Sequence, residues 1–210
     1  MGPIRVAIVG VGNCASSLVQ GVEYYRGASG RRLIGLINYD LGGYRPEDVE
    51  FVAAFDVDER KVGRRLSEAI FAPPNCTKRF VDVMPKRDVI VSMGPVLDGI
   101  STHMRSYPKE RTFLISSQEP VDVEKVLRES GAEILLNYLP VGAERAARFY
   151  ARACLKTGVS LINCMPVFIV SDPDWGQRFK EKGIPVVGDD VKSQLGATIL
   201  HRTLAKLFEE

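Results

Sequence analysis

Residues 10–15 read Gly-Val-Gly-Asn-Cys-Ala, a G-x-G-x-x-A pattern set directly after the apolar, β-branched run of residues 4–9. After it, Ala15, Leu18, Val19 and Val22 recur at helical spacing. A glycine pattern between a strand and a helix has a definite chemistry. Gly10 permits the tight turn, Gly12 lets the backbone approach a pyrophosphate, and the small Ala15 lets the helix pack close, so that the free amides of its first turn face the phosphates. The second feature is Asp56, at the end of the apolar run of residues 51–55. A carboxylate there accepts hydrogen bonds from adenosine ribose hydroxyls and repels a 2′-phosphate, which favours NAD over NADP.

A third group lies far along the chain. Residues 188–193 read Gly-Asp-Asp-Val-Lys-Ser, placing two acids, a lysine and a hydroxyl at another strand-to-helix junction. Exposed amides and Lys192 there could hold a phosphate or the nicotinamide end of a cofactor. An ordinary capped helix explains the same spacing equally well. By contrast, Asp58, Glu59, Arg60 and Lys61 read as a solvated helix face, and His103 and His201 as surface or packing residues.

These residues need a scaffold, and the hydrophobic pattern supplies one. Beyond the first two strands, short apolar runs at 88–92, 112–115, 134–136, 159–162 and 184–187 read as buried strands. Helical periodicity occupies 59–70, 123–129 and 143–155. Residues 23–50, broken by Gly27, Gly30, Gly35, Gly42, Gly43 and Pro46, read as an insertion that accounts for the long spacing between the glycine turn and Asp56. Near the end, Val191, Leu195, Ile199, Leu204, Leu207 and Phe208 share one face of a long helix with Asp190 as its N-cap. Alternating strands and helices predict an α/β fold of the Rossmann type, doubly wound, with a mainly parallel sheet and helices on both faces. One domain is expected over residues 1–210.

Composition narrows the partners. Lys and Arg number 28 against 26 Asp and Glu, so there is no charge excess to grip nucleic acid or a membrane surface, and a small molecule is the expected partner. The four cysteines form no CxxC pair and there are two histidines, which predicts reduced thiols and no metal centre. No apolar run has membrane-spanning length, and a cytoplasmic protein is expected.

Taken together, Val-Gly-Val-Gly-Asn-Cys-Ala-Ser-Ser-Leu at 9–18, Ala-Ala-Phe-Asp at 53–56 and Tyr-Leu-Pro-Val-Gly at 138–142 resemble bacterial myo-inositol-1-phosphate synthases. Asn163, Pro-Val-Phe-Ile at 166–169, Ser-Asp-Pro at 171–173 and the 188–193 segment extend the similarity along the chain. The resemblance implies an isomerase that converts D-glucose 6-phosphate into inositol phosphate, in inositol and phospholipid biosynthesis. NAD is consumed and regenerated within one cycle of oxidation, enolisation, aldol closure and reduction. It implies that Gly10, Gly12, Asn13, Cys14 and Ala15 cradle the pyrophosphate, that Asp56 holds the ribose, and that Gln118 and Tyr138 line the same cleft. Asp190 would lie near the nicotinamide with Ser193 beside it, and Asp190 and Lys192 would serve catalysis. The remaining catalytic lysines and the sheet that forms the family's tetramers lie on segments C-terminal to Glu210, so the resemblance further implies that residues 1–210 alone are inactive. A non-catalytic NAD-binding module and a different NAD-dependent dehydrogenase are the alternatives.

Overall fold

The computed structural model describes residues 2–28, 33, 35–191 and 199–209. Six strands form one sheet: β1 (Ile4–Val9), β2 (Val49–Asp56), β3 (Val91–Met93), β4 (Ile134–Asn137), β5 (Ser160–Asn163) and β6 (Val186–Val187). Their order is β3-β2-β1-β4-β5-β6 and every pairing is parallel. The chain winds outward from β1 in one direction, then returns to β4 and winds outward in the other. The carboxyl ends of β1 and β4 therefore stand side by side at the point where the winding reverses, with Val9 in register with Asn137. In sheets of this kind a crevice opens at that point.

Burial on both faces explains why the strands read as unbroken apolar runs rather than alternating ones. Val6 and Ile8 pack with Ala15, Val19 and Val22 of α1 (Asn13–Tyr25) and with Leu66 and Ala69 of α2 (Leu66–Ala69). Ala7 and Val9 point the other way. They join Leu127 of α3 (Val123–Ser130), Ala147 and Tyr150 of α4 (Glu144–Thr157), and Trp175 and Phe179 of α5 (Pro173–Glu181).

Local chemistry sets the helix ends. Asp122 caps α3 by accepting from Lys125 N, and Asp172 caps α5 by accepting from Asp174 N and Trp175 N. The first amides of α4 donate to a carboxylate from elsewhere, Arg145 N and Ala146 N to Asp98 at 2.6 and 3.0 Å. Gly158 stops α4 in a left-handed conformation that a side chain would strain. The first turn of α1 stands apart: Gly12 is its N-cap residue, with no side-chain cap and no acid in the first turn.

Several expectations change. Residues 59–70 are not one helix: the Asp58 carbonyl accepts from Lys61 N and Val62 N in a tight turn, and only Leu66–Ala69 is helical. Residues 112–115 are not a strand of the sheet. They hang on the loop after β2, with Glu59 N donating to Leu114 O and Ser116 N to Val57 O, and Ile115 is half exposed. The helix α5 was absent from the pattern reading. The last described helix, α6, covers Ile199–Glu209, and Leu204, Leu207 and Phe208 are exposed on it. Whether Asp190 caps that helix turns on residues 192–198, which lie outside the described residues, as do Leu195 and the side chains of His103 and Ile199. His201 is exposed on α6.

Candidate active site

A cavity of about 470 Å³ opens at the β1–β4 switch, lined among others by Gly10, Gly12, Asn13, Cys14, Asp56, Lys61, Asn75, Tyr138, Cys164 and Asp190. Its floor is the glycine turn. Gly10 has φ +86° and its amide donates to Phe55 O at 2.9 Å. A Cβ at this position would stand 2.5 Å from Tyr138 O and 2.9 Å from Leu139 N, so β4's continuation packs directly on the turn. A Cβ at Gly12 would meet nothing within 4 Å. The turn is thus closed against the protein at Gly10 and open at Gly12. Ala15 is fully buried beneath it, in contact with the core rather than the cavity.

Asp56 does more for the protein's own backbone than its expected ribose role requires. Its Oδ2 accepts from Val11 N at 2.7 Å, and its Oδ1 accepts from Val57 N at 2.7 Å and Asp58 N at 2.9 Å. The carbonyl of Val11 is held in turn by Lys61 Nζ at 2.8 Å and Asn75 Nδ2 at 3.0 Å. Both backbone polar groups of Val11 in the turn are therefore clamped. Asn13 is spent in the same way, its Oδ1 accepting from Cys76 N, Thr77 N and Thr77 Oγ1. This pins residues 73–78 across the mouth of the turn.

The charged run after Asp56 is not a solvated face. Asp58 is 0% and Lys61 1% exposed. Asp58 accepts from Arg60 Nε at 2.8 Å and from Leu114 N at 3.1 Å, while Arg60 also donates to Thr112 O, so the pair anchors the 109–116 segment. Burial alone would raise the Asp58 pKa, but its bonds from the Arg60 side chain and from the Arg60 and Leu114 amides outweigh burial and hold it below the usual carboxylate range.

On the far wall, Tyr138 and Cys164 both line the cavity, and the Cys164 thiol donates to Ile162 O at 3.8 Å. Burial, with Cys164 and Cys14 nearby, raises the tyrosine pKa. Burial likewise pushes the Cys164 thiol up to about 11, so it is a neutral group at pH 7. Cys14 is exposed on the first turn of α1. Gln118 is exposed and stands beside Gly63; it is not part of the cavity lining.

Under this wall runs a chain of amides. Asn137 Nδ2 donates to Asn163 Oδ1 at 2.8 Å across the β4–β5 register, and Asn163 Nδ2 reaches Val167 O and Asp189 Oδ1, each at 2.7 Å. Asp189 further accepts from the amides of Ile169, Val170 and Ser171. Burial opposes its ionised form, yet the donors from Asn163 and the three amides prevail and lower its pKa. Asp189 is therefore occupied in folding the loop after β5, and is not free to serve a ligand. Its neighbour Asp190, with φ +71°, lines the cavity. Lys192 and Ser193 lie outside the described residues. Among the described residues no group of three His, Cys, Asp or Glu is arranged to hold a metal ion.

Lys61, Asn75 and Asn137 were not singled out as site residues from the sequence, and Asp189 was read only as one of the two acids of the 188–193 group. The available signal for Lys61 was its position directly after the ribose-type strand end, where the crevice forces the chain to turn inward. For Asn75 it was the preceding Pro73-Pro74 pair, which marks a turn. Asn137 and Asn163, polar residues ending two apolar runs, gave a sign of their own.

A doubly wound parallel sheet with a glycine turn and an acidic strand end at its switch point is an α/β fold of the Rossmann type. Along its whole length the chain is a homologue of the inositol-3-phosphate synthases. It is 56% identical over 210 residues to inositol-3-phosphate synthase of Mycolicibacterium smegmatis, covering 100% of this chain and 56% of that protein. The inositol-3-phosphate synthase of Mycobacterium tuberculosis is 54% identical over 208 residues, covering 99% of this chain and 55% of that one. Among solved structures, that of a protein named Ari2 superposes with a TM-score of 0.81 at 35% identity, over 99% of this chain and 60% of the other. The chain thus spans little more than half the length of the curated relatives it matches. No family model matches it. Among the described residues no helix is long and apolar enough to cross a membrane.

Proposed function

We propose that these residues form the NAD site of an inositol-3-phosphate synthase, an isomerase acting on D-glucose 6-phosphate. The observation that carries the reading is the pairing of a turn open at Gly12 with an uncapped α1, both facing a cavity bounded by Asp56. Helices α3, α4 and α5 each spend a carboxylate on their first amides. Those of α1 are left for an anion, where the helix dipole favours negative charge. A pyrophosphate suits that end, and the cavity is large enough for a bound organic ligand.

In this reading Gly12, Asn13 and Cys14 present backbone to the pyrophosphate, and Asp56 turns its remaining acceptor capacity on Oδ2 to a ribose hydroxyl. Tyr138 and Asp190 bound the opposite end, where the nicotinamide would lie. NAD, when bound, supplies the hydride acceptor for oxidising the sugar and the donor for the final reduction. Tyr138 and Cys164, both neutral at pH 7, add no charge beside Asp190 at that end, and the Asn137–Asn163–Asp189 chain holds the backbone that carries Asp190. Lys192 and Ser193, by resemblance, would complete the site. A tetramer is the assembly that the resemblance suggests.

Calorimetric titration of NAD and NADP into the purified chain tests the cofactor reading, with Asp56→Ala alongside. Preferential NAD binding, weakened by the substitution, is expected; a folded chain that takes neither nucleotide refutes the reading. Incubation with NAD and glucose 6-phosphate tests the dehydrogenase alternative: net NADH accumulation by the chain would favour it, and none is expected.

A further inference from the structure

Four charged residues follow β2, and two of them pair with each other: Asp58 and Arg60, in contact at 0% and 17% side-chain exposure. That leaves Asp56 with a different countercharge. Lys61 Nζ lies 4.0 Å from Asp56 Oδ2, with both side chains buried and both residues lining the cavity. Two of the three ammonium hydrogens are engaged, on Val11 O at 2.8 Å and Asn75 Oδ1 at 3.0 Å.

We propose that Lys61 is a specificity-determining residue of the cleft: it offsets the charge of Asp56 where a dinucleotide's adenosine ribose would sit, and so sets how strongly a 2′-phosphate is rejected. The proposal rests on the dinucleotide reading above. An acidic strand end excludes NADP because a phosphate dianion would be placed against a carboxylate. Here the carboxylate shares its position with a buried cation. A 2′-phosphate arriving at Asp56 would meet a pair of near-zero net charge, with the Lys61 ammonium 4.0 Å from Asp56 Oδ2. Discrimination is then weaker than Asp56 alone would impose, and it depends on the residue five positions downstream.

A purely structural lysine would behave differently. If Lys61 served only to clamp the Val11 carbonyl, its loss would loosen the whole turn and weaken both nucleotides alike. The ratio of the two affinities is therefore the readout. The affinities of NAD and NADP are measured calorimetrically for the wild-type chain, Lys61→Gln and Asp56→Asn, with thermal melting as a check that each variant is folded. Gln removes the charge while retaining an N–H donor, on a side chain one atom shorter. The expected result is that Lys61→Gln raises the NAD-to-NADP affinity ratio by about tenfold or more, because two buried charges within a few ångströms interact strongly. Asp56→Asn, which leaves Lys61 unopposed, lowers the same ratio. Parallel losses for both nucleotides in Lys61→Gln, or an unchanged ratio, overturn the proposal in favour of the clamp. A wild-type chain that binds neither nucleotide instead fails the underlying reading, and the proposal falls with it; that outcome is visible before any variant is made. Should Asp56→Asn fail to fold, the ratio in Lys61→Gln decides alone.

Discussion

Gly10 and Gly12 are two residues apart and should respond in opposite ways to the same methyl group. At Gly10 an alanine must hold φ near +86°, which costs an L-residue about 1–2 kcal/mol. Its Cβ would also sit 2.5 Å from Tyr138 O and 2.7 Å from Tyr138 C. Those are backbone atoms of a segment hydrogen-bonded to β1 through Tyr138 N and Val9 O, so they cannot swing aside as a side chain would. Overpacking of this kind adds about 1–3 kcal/mol. The sum, about 2–5 kcal/mol, corresponds to a melting temperature lower by about 4–20 °C in a chain of this size. At Gly12 nothing lies within 4 Å of the added methyl and φ is −92°. The cost there is the poorer N-cap alone, about 1 kcal/mol or less. The methyl would instead fill the approach of a pyrophosphate, and NAD affinity should fall about tenfold or more. Urea denaturation and NAD titration of both variants provide the assay. Equal stability of Gly10→Ala and wild type would refute the packing argument. Undiminished NAD binding by a folded Gly12→Ala would refute the assignment of the open side of the turn.

Two further outcomes follow from the buried polar groups. Asn163→Ala strips partners from Asn137, Asp189 and the carbonyls of Met165 and Val167 at once, and should destabilise the chain by about 2–4 kcal/mol in urea melts; a change below 1 kcal/mol would show that water replaces the amide without loss. Asp58 and Asp189 both have folded pKa values below their unfolded ones. Their contribution is complete above the unfolded carboxylate value of about 4 and is lost as pH falls through the lower folded values. The urea midpoint should therefore drop below about pH 4, and less steeply in Asp58→Asn; identical slopes for the two proteins would remove Asp58 from the account.

The sheet was legible because burial on both faces writes each strand as an apolar run. β1 occupies the same six residues in pattern and structure, and α4 differs from its expected bounds by a residue or two. The pattern failed where polar atoms, rather than apolar spacing, shape the chain. Residues 58–64 carry charges at helical intervals, yet Asp58 and Lys61 turn inward to meet backbone groups and break the helix before Leu66. Residues 112–115 are apolar enough for a strand, but bond to a loop. The helix α5 is short, and its evidence was local: Asp172 as cap, Pro173 at the first position, and Trp175 and Phe179 one turn apart on the buried side. At the turn, Gly10 was legible because its role is conformational, a left-handed φ of +86°. The grip of Lys61 and Asn75 on Val11 joins residues 50 and 64 positions apart, and no local pattern encodes such a distance.

The walls of the cleft come from Gly12, Asp56, Asn75, Tyr138, Cys164 and Asp190, stretches spread over most of the chain. The glycine turn and the residues around Asn75 lie on one side of β1, and the facing wall lies on β4, β5 and the segments after them. The cleft therefore exists only when both halves of the sheet are in place. A ligand that fits it recognises the finished sheet and no partial one, and draws the population of nascent and refolding chains toward the assembled form by mass action.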